Sequence, residues 1–355
     1  MSPLKQGAGA ALLAAALFGA ATPCSKLLLG HVSPSMLAAL LYLGSGLGLW
    51  LFRRITRAQP VVLPRADAGW LAAAILSGGV IAPLLLMFGL ARVPAASASM
   101  LLNAESVLTA LIAWFVFREN FDRSILLGMM LIVGGALVLT VSADVGGFPQ
   151  TDAAVLLVLG ACLAWAIDNN LSRKVSLSDA SWVAMVKGLC AGIVNLALAF
   201  WFGASLPATG SILLAGILGF LSYGVSLSLF MRALRYLGTA RTGAYFSVAP
   251  FIGAVLSVIV LTEPVSLRLL IAGALMAVGV WLHLGERHIH EHSHEAIEHL
   301  HEHVHGDGDP HHQHEHAEPV PPGTRHTHRH RHAPLTHTHA HFPDAHHQHT
   351  HTPRD

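Results

Sequence analysis

The sequence predicts an all-α membrane protein: ten transmembrane helices, arranged as two inverted five-helix repeats, with a disordered C-terminal tail. Three observations carry this expectation. They are apolar runs of membrane-spanning length, Lys and Arg concentrated in alternate gaps between those runs, and an abrupt change of composition after Arg287.

The 355 residues are 53% hydrophobic and only 12% charged, with a mean hydropathy of +0.56, a balance that does not fit water-soluble domains. Between about residues 8 and 285 the charges fall mostly in short gaps between apolar runs of about 17 to 25 residues, the length a helix needs to cross a hydrocarbon core of about 30 Å. The basic residues form no single face interleaved with aromatics, so nucleic acid is excluded as a partner and the lipid bilayer is expected instead. Cys24, Cys162 and Cys190 all lie inside apolar runs without CxxC spacing and read as packing residues rather than a disulfide or zinc framework.

The spans are expected at about 8–29, 36–52, 69–91, 95–117, 124–142, 153–171, 181–203, 210–231, 242–261 and 267–285. With the amino terminus inside, the cytoplasmic gaps collect 13 basic residues: Lys5, Arg53, Arg54, Arg57, Arg65, Arg118, Arg123, Arg173, Lys174, Arg232, Arg235, Arg241 and Arg287. The opposite side has only Lys26, Arg92 and Arg268. This positive-inside bias predicts an inner (plasma) membrane protein with both termini in the cytoplasm. The first run imitates a cleaved signal peptide, but an internal repeat argues against cleavage.

In that repeat, ALFGAATPCSK (16–26) aligns with LAWAIDNNLSR (163–173) at an offset of 147, and SGGV (77–80) with SYGV (222–225) at 145. Gly128 and Gly134 match Gly273 and Gly279, again at 145. Five spans per copy is an odd number, so the second copy enters the membrane from the opposite face, which suits alternating access. The chain divides into a first repeat (1–147), a second (148–286) and the tail (287–355).

With its paired five-helix units, the aromatic/small pairs Phe18-Gly19 and Trp165-Ala166, and the acidic residues Glu119 and Glu263-Pro264 closing spans four and nine, the chain resembles the EamA type of the drug/metabolite transporter superfamily over about residues 8–285. It departs from that family at Glu119-Asn120, where Glu-Pro is common. The resemblance implies a secondary transporter, often an exporter of metabolites or toxic solutes, with no ATP-hydrolysing partner. The chain has no GxxxxGK[ST] pattern, which agrees with this.

Polar side chains at membrane depth are costly and are site candidates by default. Trp165, Asp168, Asn169 and Ser172 make one stripe down span six, and Phe18, Ala21, Thr22 and Ser25 are their repeat partners in span one. The two stripes are expected to wall a central cavity; the alternative for Asp168 is a structural pair with Lys187. Span four carries Ser99, Asn103, Glu105, Ser106 and Thr109 over one arc of the helix. Glu105, near the bilayer middle, is either a proton-coupling or substrate-binding group, or a neutral acid hydrogen-bonded between helices. Tyr223 and Tyr245, with Ser222, Ser226 and Ser247, are expected to complete the lining, and the serines read equally as packing residues. Pro23, Pro83 and Pro250 mark kinks or breaks.

Of the 25 histidines, 23 lie in the last 68 residues. They run as ladders: His288, His290, His292, His294; His299, His301, His303, His305; His326, His328, His330, His332; His337, His339, His341. HHQHEH supplies His311, His312, His314 and His316, and HHQHTH supplies His346, His347, His349 and His351. The segment has too few core-forming residues to fold alone. Neutral imidazoles at spacing two suit reversible binding of Zn, Ni, Co or Cu, against the alternative of a solvated, pH-responsive polymer. His31 and His283 alone lie outside the tail, and no span carries an HxxxH or HxxxD pair.

The leading expectation is a secondary active transporter of a small metabolite or toxic solute that requires no cofactor, with a metal-binding cytoplasmic tail. The alternatives are a divalent transition-metal (Ni/Co/Zn) exporter and a membrane-anchored metal buffer or sensor. No catalytic triad, carboxylate pair or phosphate-binding loop points to an enzyme.

Overall fold

The computed structural model describes residues 3–61, 63–117, 123–140, 150–172 and 179–284, and in the tail 289–294, 298–304, 325–331 and 335–340. It divides into two compact units, Met1–Glu286 and Arg287–Asp355.

The described part of the larger unit is helical. α1 (Pro3–Gly19) and α2 (Ala21–Leu28) fill the first expected span, and α3 (Pro34–Ile55) the second. α4 (Arg65–Ala74), a π-helical turn (Ile75–Ile81) and α5 (Ala82–Leu90) fill the third; α6 (Ala95–Leu101) and α7 (Ala104–Phe117) the fourth; α8 (Arg123–Thr140) the fifth. Then follow α9 (Gln150–Ser172), α10 (Ala180–Trp201), α11 (Thr209–Gly219), a second π-helical turn (Phe220–Val225), α12 (Ser226–Phe246), α13 (Ala249–Leu261) and α14 (Leu267–Leu284).

Among the described residues, seven stretches are long and apolar enough to cross a membrane: Gln6–Leu28, Pro34–Ile55, Asp67–Leu90, Ala95–Val116, Ala153–Ser172, Ser181–Trp201 and Thr209–Ala233. The shorter apolar helices Leu126–Thr140, Ala249–Leu261 and Leu267–Leu282 fall at the fifth, ninth and tenth expected spans. Polarity is distributed as a bilayer requires. Trp201, at 85% exposed, and Trp281, at 70%, lie on the outside of the bundle, while Asn195 and Thr242 are fully buried.

Close helix approach depends on missing side chains. A Cβ on Gly44 would strike the backbone of Gly216, and one on Gly219 the Leu41 carbonyl. Gly46 and Gly188 likewise meet backbone to backbone, so α3 packs closely on α10 and α11 in the small-residue manner of membrane helices. α8 with α14, α1 with α12 and α5 with α9 are the other extensive pairings.

Breaks in the helices have local causes. Pro23 cannot donate to the carbonyl one turn back, and the chain turns at Ala20 between α1 and α2. Pro250 sits in the first turn of α13, just after the turn at Ser247 and Val248. Two expectations need correction. Span four is broken at Leu102–Asn103, and the expected loop over 232–241 is instead part of the continuous helix α12.

The tail also departs from its expected disorder at four stretches. β1 (Ile289–His294) pairs antiparallel with β4 (Leu335–Ala340), and β2 (Glu298–Val304) with β3 (Arg325–Arg331). Strict alternation at period two, with Ile, Thr and Val among the alternating residues, favours extended pairing. The remaining tail histidines lie outside the described residues.

Candidate functional site

The site is built where α9 meets the π-helical turn of span three and the break in span four. In that turn the winding slips by one residue, so the Ala82 amide bonds to the Ser77 carbonyl rather than to that of Gly78. The Gly78 carbonyl is freed and takes two aromatic donors, Tyr42 Oη at 2.7 Å and Trp165 Nε1 at 3.0 Å. Pro83 has no N–H for the Gly79 carbonyl, and Asn195 Nδ2 supplies the missing bond at 2.9 Å.

Asp168 lies against Gly78, where an added Cβ would overlap its carboxylate. Both carboxylate oxygens accept from Lys187 Nζ, at 2.6 and 2.7 Å, and Ser172 Oγ donates to one of them at 2.8 Å. Asp168 therefore takes the structural pairing that was its alternative reading.

One residue further, Asn169 Nδ2 donates to Glu105 Oε1 at 2.8 Å and to Thr109 Oγ1 at 3.3 Å. Glu105 sits in the first turn of α7, where the helix dipole favours a negative charge. Among the described residues no cationic side chain lies within ion-pair reach of it. The two carboxylates thus differ in kind: that of Asp168 is neutralised by a lysine, and that of Glu105 is held by a neutral amide.

An aromatic group adjoins them. The Tyr223 ring lies 5.6 Å from Tyr42 and 5.9 Å from Phe18, and Phe18 is 5.4 Å from Phe246.

Of the residues singled out from sequence, the structure brings together Glu105, Trp165, Asp168, Asn169 and Tyr223. It separates others. Asn103 is buried with its Nδ2 on the Met100 carbonyl, closing the end of α6. Tyr245 is 37% exposed and Thr22 is buried on α2. Tyr42 and Asn195 were missed; the signal was available, since each is a polar side chain inside an apolar run. Of the tail ladders, the described strands set His290 opposite His339, His292 opposite His337, His299 opposite His330, His301 opposite His328 and His303 opposite His326.

The EamA-like transporter family matches residues 5–141 and, separately, residues 152–285. The chain belongs to this family. An uncharacterized transporter of Methanothermobacter thermautotrophicus is 29% identical over 288 residues, 76% of this chain and 84% of that protein. An uncharacterized transporter of Bacillus subtilis, YvbV, is 27% identical over 277 residues, 74% of this chain and 86% of the relative. A probable amino-acid metabolite efflux pump of Salmonella typhimurium is 34% identical over a shorter stretch of 82 residues, 23% of this chain and 27% of the pump. A solved crystal structure shares the fold with a TM-score of 0.58 at 21% identity, covering 79% of this chain and 98% of its own. As an EamA-like protein, this chain is a multi-pass membrane transporter of small solutes.

Proposed function

We propose that this EamA-like protein is a secondary active exporter of a small metabolite or toxic solute, and that Glu105 is the group that exchanges a proton or binds the substrate. The observation that carries the reading is the contrast between the two carboxylates. Asp168 is tied to Lys187, whereas Glu105 faces a neutral amide and is free to take up a proton or a cationic group. Asn169, Trp165, Tyr42 and Tyr223 supply neutral donors and aromatic faces beside it. The likeness to the Salmonella protein, a probable amino-acid metabolite efflux pump, favours the outward direction.

Transport would proceed by alternating access between two inverted repeats of five spans, 1–147 and 148–286, with both termini in the cytoplasm of a plasma-membrane protein. Two hydrogen bonds support the duplication. Ser77 Oγ donates to the Ala164 carbonyl at 2.7 Å, and its repeat counterpart Ser222 Oγ donates to the Leu17 carbonyl at 2.8 Å. The separate match of the family to each half supports it as well.

A second reading, a divalent-metal exporter or metal buffer, is favoured by the tail register. The register sets histidines directly opposite one another across each antiparallel pair, and neutral imidazole suits Zn, Ni, Co and Cu ions. One experiment separates the readings. The full chain, the chain cut after Glu286 and Glu105→Gln are expressed and compared for cellular nickel, cobalt and zinc, for resistance to a solute panel and, with any solute found, for flux in proteoliposomes. The exporter reading predicts solute flux that Glu105→Gln abolishes and the truncation spares. Undiminished, still pH-dependent flux in Glu105→Gln would sink the role of Glu105. Metal efflux requiring both tail and Glu105 would replace the solute reading with metal export, and retention requiring only the tail would favour storage.

A further inference from the structure

At the end of the bundle opposite the Asp168–Lys187 pair, α2, α5, α6 and α13 converge on the short connector Ala91–Pro94. Two charged side chains grip this connector, one at each end. Lys26 Nζ, from the last turn of α2, donates to the Leu90 carbonyl at 2.6 Å and the Val93 carbonyl at 2.9 Å. Glu263, just beyond α13, accepts from the amides of Ala95 and Ala96 at 2.7 and 2.8 Å, one on each carboxylate oxygen. The cation thus holds the carbonyl end of α5 and the anion holds the amide end of α6, each in the sense the helix dipole favours. Thr262, with a φ of 52°, turns the chain out of α13 so that Glu263 reaches back to α6. A threonine in that left-handed conformation is uncommon, and the cap geometry is held in spite of it.

The corresponding connector of the second half is different. At the repeat offset of 145, residues 90–96 correspond to 235–241, which lie within the unbroken helix α12. Backbone amides inside a helix are already bonded to carbonyls one turn back, so no free amide pair is presented there for a carboxylate to hold. One connector is bent and held by two charged side chains, while the backbone of the other runs on as a continuous helix. In an inverted repeat, that difference distinguishes the two faces of the membrane.

We propose that Lys26 and Glu263 are the gate residues of the outer face, a two-point clamp whose release is required for opening to the outside. This rests on the alternating-access reading above and adds to it the residues that hold one state. They are positioning residues: Lys26 ties the end of span three and the connector to span one, Glu263 ties the start of span four to span nine, and neither touches a transported solute. Removing one charged hydrogen-bonding side chain is expected to shift a two-state equilibrium by about tenfold toward the open outer face.

The test measures conformation directly, so it needs no known substrate. In a full-length background with Cys24, Cys162 and Cys190 replaced by Ala, spin labels are placed through Arg92→Cys and Val265→Cys, and their distance distribution is read by pulsed electron paramagnetic resonance in lipid nanodiscs. The parent is expected to give a dominant short distance. Glu263→Ala and Lys26→Met should each raise a longer-distance population about tenfold, with Glu263→Gln intermediate because it keeps an acceptor oxygen without the charge. Distributions identical to the parent in both Lys26→Met and Glu263→Gln would overturn the proposal, even were Glu263→Ala to misfold. A shifted distribution in a protein that moves no tested solute would leave the clamp standing and remove the transport reading instead.

Discussion

Spans one and six occupy equivalent places in the duplicated sequence but are made for different tasks. Span six is the single helix α9, and its inner stripe carries the Asp168–Lys187 pair, the Asn169–Glu105 bond and the indole of Trp165 on a freed carbonyl. Span one is broken at Ala20, and the same stripe carries Phe18 against Tyr223, buried Thr22, and buried Ser25, whose Oγ has no partner among the described residues. The backbone framework is common to both, as the matching bonds of Ser77 and Ser222 illustrate. Among the described residues of these two stripes, the carboxylate lies on the span-six copy.

The largest effect should come from breaking that charge. Lys187→Met leaves Asp168 buried with its carboxylate deprived of a cation, a change expected to cost about 3–5 kcal/mol of stability. The double variant Asp168→Asn/Lys187→Met should recover most of the loss, because no uncompensated charge remains. Thermal unfolding in detergent checks both. A double variant no more stable than Lys187→Met would show that the pair does more than neutralise a charge.

The next effect sharpens the comparison at a single position. Gly78 and Tyr223 correspond at the repeat offset, yet one has no side chain and the other a large one. Their neighbours account for this: Gly78 faces Asp168, and the span-one counterpart of Asp168 is the small Ala21. Gly78→Ala should therefore cost about 1–3 kcal/mol through overpacking and displace the Asp168–Lys187 pair, whereas Tyr223→Phe should change thermal stability little. A lowered unfolding temperature in Tyr223→Phe as large as that in Gly78→Ala would refute the explanation.

The sequence made the bundle legible because hydropathy acts on every span alike. It also gave the span-six stripe, since α9 is continuous and the 100° rule applies along its length. The same rule misled in span four, where Asn103 and Glu105 were assigned to one arc. The break at Leu102–Asn103 separates them, and no Pro or Gly marks it in the sequence. The π-helical turn was likewise silent, because a one-residue slip in winding leaves no compositional trace. Yet that slip frees the Gly78 carbonyl and makes Tyr42 and Trp165 part of the site. In the tail, low apolar content predicted disorder, while the period-two alternation that favours strands was read only as ligand spacing.

The smallest effect lies at the start of the next helix in each half, where Asp179 corresponds to Ser33. Asp179 caps α10, accepting from the Trp182 amide at 3.0 Å and Ser181 Oγ at 2.6 Å and pairing with Arg53 at 3.0 Å, whereas Ser33 precedes α3 without a side-chain cap. Partial burial works to raise the Asp179 pKa, but the hydrogen bonds from Ser181, Arg53 and Trp182, together with the Arg53 charge, outweigh it and hold the carboxyl below its ordinary value. Its contribution to stability is therefore present above the ordinary carboxylate range, near pH 4, and lost as pH falls through the lower folded value. Asp179→Ala should cost about 1 kcal/mol at neutral pH, as loss of a cap does, and Ser33→Ala close to nothing. Because Asp179 is partly exposed, added salt should weaken the Arg53 share and leave the capping share intact. Unfolding temperatures measured from pH 7 down to pH 3 should thus converge for parent and Asp179→Ala. A gap that does not narrow at all between pH 7 and pH 3 would assign the effect to packing rather than to charge.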